Sequence, residues 1–238
     1  MKRLGRFYKT VSIEPVGGVF QLLLDGKPVR TPMRNLLTFE SEGVASAVAS
    51  EWQIQSKFIV PNTMPMSTII TTFLDVDSQI TREEKIGQIS KFFQTDTIRF
   101  PASEPLLAAA QAREWAPVHR YTESKQLVLS PCAEFSVPDN THIEVANICG
   151  KALSTYDQLG LTLLETAAKY LKSASVGLAL IEGAVTPNEA WRAAYVEEIF
   201  QRENWGLVEG DHDVHDAETL LWLNGVALLA IVRPLVAR

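Results

Sequence analysis

The sequence predicts an α+β chain, with a small β-rich N-terminal domain and its following helix over residues 1–78, then a larger helical domain over 79–238. Three observations predict this. Residues 6–39 read as short strands punctuated by the turn pairs Gly17-Gly18 and Asp25-Gly26. After Glu40 the apolar residues recur at helical spacing. Capping signals and helical stripes then continue with no low-complexity linker and no repeat, so the boundary near 75–80 is a change of architecture rather than a hinge.

In the strand region, Asp25-Gly26 lies between Val19–Leu24 and Lys27-Pro28-Val29-Arg30, and both turn positions tolerate positive φ, which favours a hairpin. Pro28 cannot donate to a ladder, so its strand belongs at an edge. The first helical stripe is Val44, Ala45, Val48, Ala49 and Trp52, with Ser41 as its cap. Helices are expected over 64–79 and over 81–94, the second opened by a Thr81/Glu84 capping box. Residues 96–101 read as a short strand or an extended link, and 103–122 as helix. Between Ser130-Pro131 and Val137-Pro138-Asp139-Asn140 the chain turns, after a short strand candidate at Gln126–Leu129. Helices are expected at 141–158, 160–182, 187–204 and 214–233. The second of these is apolar nearly all round and carries Ser173, Ala174, Ser175, Gly177 and Ala179, which permit close contact, so it reads as the central helix of a bundle.

Composition narrows the function. Of 238 residues, 46% are apolar and 21% charged, as in a globular protein with a substantial core. A net charge of −6 argues against a general nucleic-acid surface. Cys132 and Cys149 lack metal or redox spacing and read as buried free thiols. The apolar run Leu220–Val232 has 13 residues, short of the about 20 a membrane span needs, and reads as a buried helix. The basic start, Met1 to Phe7, lacks the apolar core of a secretory signal and is compatible with a removed targeting segment.

Residues 187–206 are the most informative stretch. Thr186, Pro187 and Glu189 form a helix start with a capping box. At about 100° per residue, Ala193, Val196 and Phe200 fall on a core side, and Trp191, Tyr195, Glu198 and Arg202 on the other. A face that mixes aromatics with a carboxylate and a guanidinium suits contact with a partner. Trp205 would close its far end, and Glu197 adjoins it.

Catalytic signatures are weak by comparison. His212 and His215, in Asp211-His212-Asp213-Val214-His215-Asp216, are the one metal-ligand candidate, and they ground an alternative reading as a metal-dependent hydrolase. The same run is also what an acidic cap on the last helix would look like. His119 and His142 read as structural, and Glu83-Glu84 and Glu197-Glu198 point about 100° apart along a helix, so neither is a ready acid/base dyad. Glu51 beside Trp52 reads as structural first. No nucleophile elbow and no glycine-rich phosphate cradle is present.

Seven motifs in order resemble one family. They are Arg6-Phe7-Tyr8-Lys9; Leu24-Asp25-Gly26-Lys27-Pro28-Val29-Arg30-Thr31-Pro32; Glu51-Trp52-Gln53-Ile54-Gln55; Pro61-Asn62-Thr63-Met64-Pro65-Met66; Thr95-Asp96-Thr97; Gln111 with Trp115-Ala116-Pro117; and Trp191 to Gly206, with Glu197-Glu198-Ile199-Phe200-Gln201 inside it. The order and spacing are similar to the F1-ATP synthase α-subunit assembly chaperones, the mitochondrial F1 complex assembly factor 2 family. The resemblance implies a non-enzymatic protein without cofactor or metal. Its implied partner is the unassembled F1-ATPase alpha subunit, held in the mitochondrial matrix or in a bacterial cytoplasm until the beta subunit replaces it. It also implies partner-binding weight on Glu198, with less on Glu197. Phe73-Leu74-Asp75 and Phe92-Phe93-Gln94 depart from the family pattern, and residues 123–150 match none of it.

Overall fold

A computed structural model describes residues 4–132, 140–206 and 212–233, with the backbone alone at His212 and Asp213. The N-terminal strands are β1 (Leu4–Gly5), β2 (Val11–Val16), β3 (Val19–Leu24), β4 (Lys27–Pro28) and β5 (Thr38–Phe39). β2 and β3 pair antiparallel from Val11↔Leu24 to Val16↔Val19. β3 then pairs with β4 across Asp25-Gly26, where φ is 51° and 74°. Two successive positive φ values make the hairpin turn whose twist matches the strands, and glycine takes the second without a Cβ penalty. The Asp25 carboxylate fixes the turn by accepting from the backbone of Lys9 and Thr10 at 2.9 and 2.8 Å. β4 is an edge, as Pro28 requires.

α1 (Glu42–Ile54) follows the sheet, and β6 (Phe58–Ile59) returns to pair with β1, a second small sheet that the sequence does not announce. Ser41 stands at the start of α1, but its hydroxyl donates to the Val232 carbonyl (2.9 Å) instead of capping. The C-terminal region is helical: α2 (Pro65–Asp75), α3 (Arg82–Gln94), α4 (Pro105–Ser124), α5 (Thr141–Ala152), α6 (Gln158–Leu171), α7 (Ala174–Ile181), α8 (Pro187–Ala194), α9 (Val196–Trp205) and α10 (His212–Val232). Both expected capping boxes, Thr81/Glu84 and Thr186/Glu189, are formed.

Several expected elements differ. Residues 97–99 form a short 3-10 turn, not a strand. Gln126–Leu129 is not a strand either: Gln126 has φ 55°, and the Leu127 amide turns back to the Thr122 carbonyl at 2.8 Å, closing α4. The expected 160–182 helix breaks at Lys172, left-handed at φ 53°, because the Ser173 hydroxyl caps a new helix through the Val176 amide and buried Asp96 receives the Ser175 amide. The expected 187–204 helix breaks at Tyr195 (φ −110°, ψ 21°), whose hydroxyl is tied to the Tyr170 carbonyl at 2.7 Å. The turn at 137–139 lies outside the described residues.

α6 and α7 are the centre of the molecule. Leu161, Leu163, Leu164, Ala167, Ala168 and Leu171 are inaccessible, as are Val176 and Ala179. A contiguous core runs from Leu22, Phe39 and Val48 of the strand region through Ile69, Phe93 and Trp115 to Leu223, Val226 and Leu229 of α10. Gly225 lets α10 approach the start of α2: a Cβ there would lie 3.0 Å from the Pro65 ring. Buried charge is paired inside this core. Lys85 lies 2.8 Å from Asp77 and contacts Glu165, which Lys169 holds from outside at 2.7 Å. Arg99 ties the α3 carbonyls of Phe93 and Gln94 to Ser130 and Thr141. Cys132 and Cys149 are buried and free.

Candidate functional site

The face expected on residues 191–205 becomes two layers. Tyr195 is a correction: the sequence places it opposite the core, yet it is 5% exposed. The helix break rotates it inward, and its hydroxyl bonds Tyr170. Burial pushes its phenol above the ordinary range. Trp191 is half-buried, its ring stacks on Tyr195 at 6.4 Å, and its indole N–H is enclosed without a partner. These two rings form the inner layer, next to the stacked Tyr170–Trp222 pair at 5.0 Å.

Cations cover the inner layer. Lys172 Nζ lies 5.2 Å over the Tyr195 ring and Arg202 5.9 Å over Trp191. Such cation–aromatic contacts hold the long side chains flat on the rings. Each cation also has a carboxylate, Glu198 for Lys172 (3.5 Å) and Asp216 at the start of α10 for Arg202. His215 meets the Tyr195 ring edge-on at 5.7 Å. α9 and α10 are thereby joined at this end.

The predicted residues thus fall into three groups. Glu198 and Arg202 lie together in the outer layer with Trp191 and Tyr195 beneath them. Trp205 ends α9 with 77% exposure, the most exposed aromatic of the set. Glu197 is directed elsewhere: it accepts from Gln111 of α4 at 2.9 Å, and Gln111 is itself buried. Beside that contact, Arg192 grips Glu114 with two hydrogen bonds at 2.8 and 2.9 Å, and these hold the Glu114 carboxyl below its usual range. Sequence reasoning missed Lys172, Asp216 and Tyr170 as members of this group. Lys172 is 26 residues from Glu198, and no local pattern announces a pair at that distance.

Elsewhere the sequence candidates are structural. Buried Glu51 accepts from the Met66 amide (2.8 Å) and from the Ser67 amide and hydroxyl (both 2.7 Å), so it caps α2. Its pKa is raised by burial. His119 packs edge-on against Trp115 at 6.2 Å. Asp211 lies outside the described residues, as do the side chains of His212 and Asp213. Among the described residues no three His, Cys, Asp or Glu side chains converge on a metal position. A cavity of about 280 Å³ between the strand region and α6 is lined mainly by apolar side chains, among them Phe39, Val44, Ile70 and Phe73, with Glu40, Ser41 and Asp157 also in its wall.

Comparison with known proteins follows the same direction. The family model described as ATP12 chaperone protein matches residues 5–123. The chain is 24% identical over 242 residues to Protein atp12, mitochondrial, of Schizosaccharomyces pombe, covering 94% of this chain and 81% of that protein. Among solved structures, a protein of Agrobacterium tumefaciens described as a candidate chaperone superposes with a TM-score of 0.86 at 28% identity, over 96% of this chain and 85% of that one. Atp12 of Paracoccus denitrificans superposes with a TM-score of 0.79 at 24% identity, over 97% and 99%.

Proposed function

From the premise that the chain belongs to the ATP12 chaperone family, we propose that it is an F1-ATPase assembly chaperone that binds the unassembled alpha subunit and shields its beta-contacting surface. The observation that carries this reading is the outer layer of α9: Glu198, paired with a Lys172 that lies over the stacked Trp191 and Tyr195 rings, and an exposed Trp205 at the far end of the same helix. A preorganised aromatic layer costs little entropy to dock, and an edge charge supplies orientation. No step needs a nucleotide, metal or reactive side chain. Release requires only that the beta subunit compete better for the shared surface. An unassembled subunit exposes that surface and is prone to aggregate, which gives the shielding its purpose. The reading entails the mitochondrial matrix, or the cytoplasm in a bacterium, as the place of action.

Co-expression with an F1 alpha subunit, followed by size-exclusion chromatography, tests it. A soluble complex that dissolves on addition of the beta subunit is the expected result. Aggregated alpha subunit with no co-elution would overturn it.

A further inference from the structure

Charge is divided unevenly along the chain. Residues 1–60 hold eight Lys or Arg and five Asp or Glu, against 14 and 23 in the rest. Among the described residues every ion pair joins side chains of residues 77–233, and none involves a Lys or Arg of the strand region.

Two of these cations, Lys27 and Arg30, stand in the wall of one groove of about 410 Å³. The groove opens on the small second core, where Tyr8 and Ile59 are buried and Trp52 packs against them. Leu4 and Phe7 stand in the same wall, 59% and 66% exposed. The groove also has one carboxylate, Asp25, but its oxygens are taken by the Lys9 and Thr10 amides and the Thr10 hydroxyl. Arg30 donates to a neutral acceptor, the Arg34 carbonyl at 2.8 Å, so its charge is not compensated. Lys27 is exposed, and its ammonium has no partner among the described residues.

The groove lies where the two small sheets meet. Leu4 belongs to β1, which pairs only with β6, and Lys27-Pro28 is β4, which pairs only with β3. Each of these strands ends its sheet, so an extended segment laid between them finds main-chain groups to bond. The side chains set the rest of the chemistry. Phe7 and Trp52 call for an apolar side chain, and the two cations call for carboxylates. An anionic membrane would satisfy the cations, but interfacial binding needs a broad apolar face that projects into the lipid. Here the apolar floor is recessed, with Tyr8 at 4% exposure and Ile59 at 8%.

We propose that this groove is a second docking site, for an extended acidic segment of a partner protein. The segment sets an aromatic or aliphatic side chain against Phe7 and Trp52, and Asp or Glu side chains against Lys27 and Arg30. The site is built from the strand region alone and does not depend on the reading of the α9 layer.

The test offers the full chain as bait to a displayed library of random peptides and measures the enriched sequences as synthetic peptides. Enriched peptides should combine Phe, Tyr, Leu or Ile with Asp or Glu, and added salt should weaken their binding. The double variant Lys27→Glu, Arg30→Glu should keep its melting temperature, because both side chains are exposed, and lose about tenfold or more in peptide affinity. Phe7→Ser, also at an exposed position, should lose affinity with every charge intact. Glu198→Lys should leave peptide binding unchanged. Enrichment of basic or uncharged peptides, no enrichment, or undiminished binding by either groove variant would overturn the proposal. Binding of phosphatidylglycerol vesicles that is lost in the double variant, with no peptide bound, would overturn it in favour of a membrane.

Discussion

Lys172 and Glu198 face each other from the end of α6 and the first turn of α9, with Nζ 3.5 Å from Oε1. Both side chains are substantially exposed, so the pair contributes little to folding: exposed ion pairs of this kind are worth about 0–1 kcal/mol. Its position matters more, since Lys172 is also held over the Tyr195 ring and Glu198 stands at the edge of the proposed docking layer.

Glu198→Lys should therefore separate binding from stability. Two cations would then face each other where the proposed docking layer presents a carboxylate. Thermal melting should shift by no more than a few degrees, while alpha-subunit capture on a size-exclusion column is lost. A variant that instead unfolds at ordinary temperature would assign Glu198 to the scaffold.

Tyr195→Phe should do the reverse. It removes a hydroxyl that bonds the Tyr170 carbonyl at 2.7 Å in a buried place. The cost is about 1–2 kcal/mol, from the lost hydrogen bond and the carbonyl left unsatisfied. The melting temperature should fall by a few degrees, and affinity for the client should be nearly unchanged. A large loss of affinity with full stability would return Tyr195 to the contact surface.

The contrast between these two residues shows what the sequence carries. Local chemistry is legible: the Asp25-Gly26 hairpin, both capping boxes, the edge placement of Pro28 and the central burial of residues 161–180 follow from neighbours in the chain. The breaks at Lys172 and Tyr195 are not. Lys172 takes a left-handed backbone without being glycine: its neighbour Ser173 caps the next helix, and Asp96, 79 residues before Ser175, fixes that helix start from a distance. Tyr195 obeys helical periodicity up to the residue where the helix stops, so a 100° projection carries it to the wrong face. The run Leu220–Val232, read from the sequence as a buried helix, is buried on one side of α10 alone: Leu223, Val226 and Leu229 are inaccessible, whereas Leu221, Leu228 and Ile231 are exposed.

Lys85→Met should be severely destabilising. Lys85 is buried and neutralises Asp77 and Glu165, with Thr162 also donating to Asp77 at 2.6 Å. Removing the cation leaves two carboxylates in the core. Only Glu165 keeps an outside partner, Lys169. Breaking a buried pair in this way costs about 3–5 kcal/mol. Chemical denaturation at neutral pH checks the magnitude. Replacing Lys85 and Asp77 together, by Met and Leu, should recover part of the loss, whereas no recovery would mean that the packing of the Lys85 stem, not its charge, is what matters.

Acid unfolding offers a test of the α4–α8 clamp. Hydrogen bonds from Arg192 are the main cause that holds the Glu114 carboxyl below its usual range, against the opposing effect of burial. A carboxylate with a depressed folded pKa binds fewer protons folded than unfolded, so its stabilisation is present above the unfolded value and is lost as pH falls through the folded one. Arg192 is substantially exposed, which limits the clamp to about 1 kcal/mol at neutral pH. Arg192→Gln should lower stability at pH 7 by that amount. The difference from wild type should shrink below about pH 4, where Glu114 protonates in the unfolded chain, and vanish once it protonates in both states. Denaturant midpoints measured from pH 7 to pH 3 read this directly. A difference that stayed constant over the range would place the effect of Arg192 in packing of its aliphatic stem against α4, with no contribution from the charge.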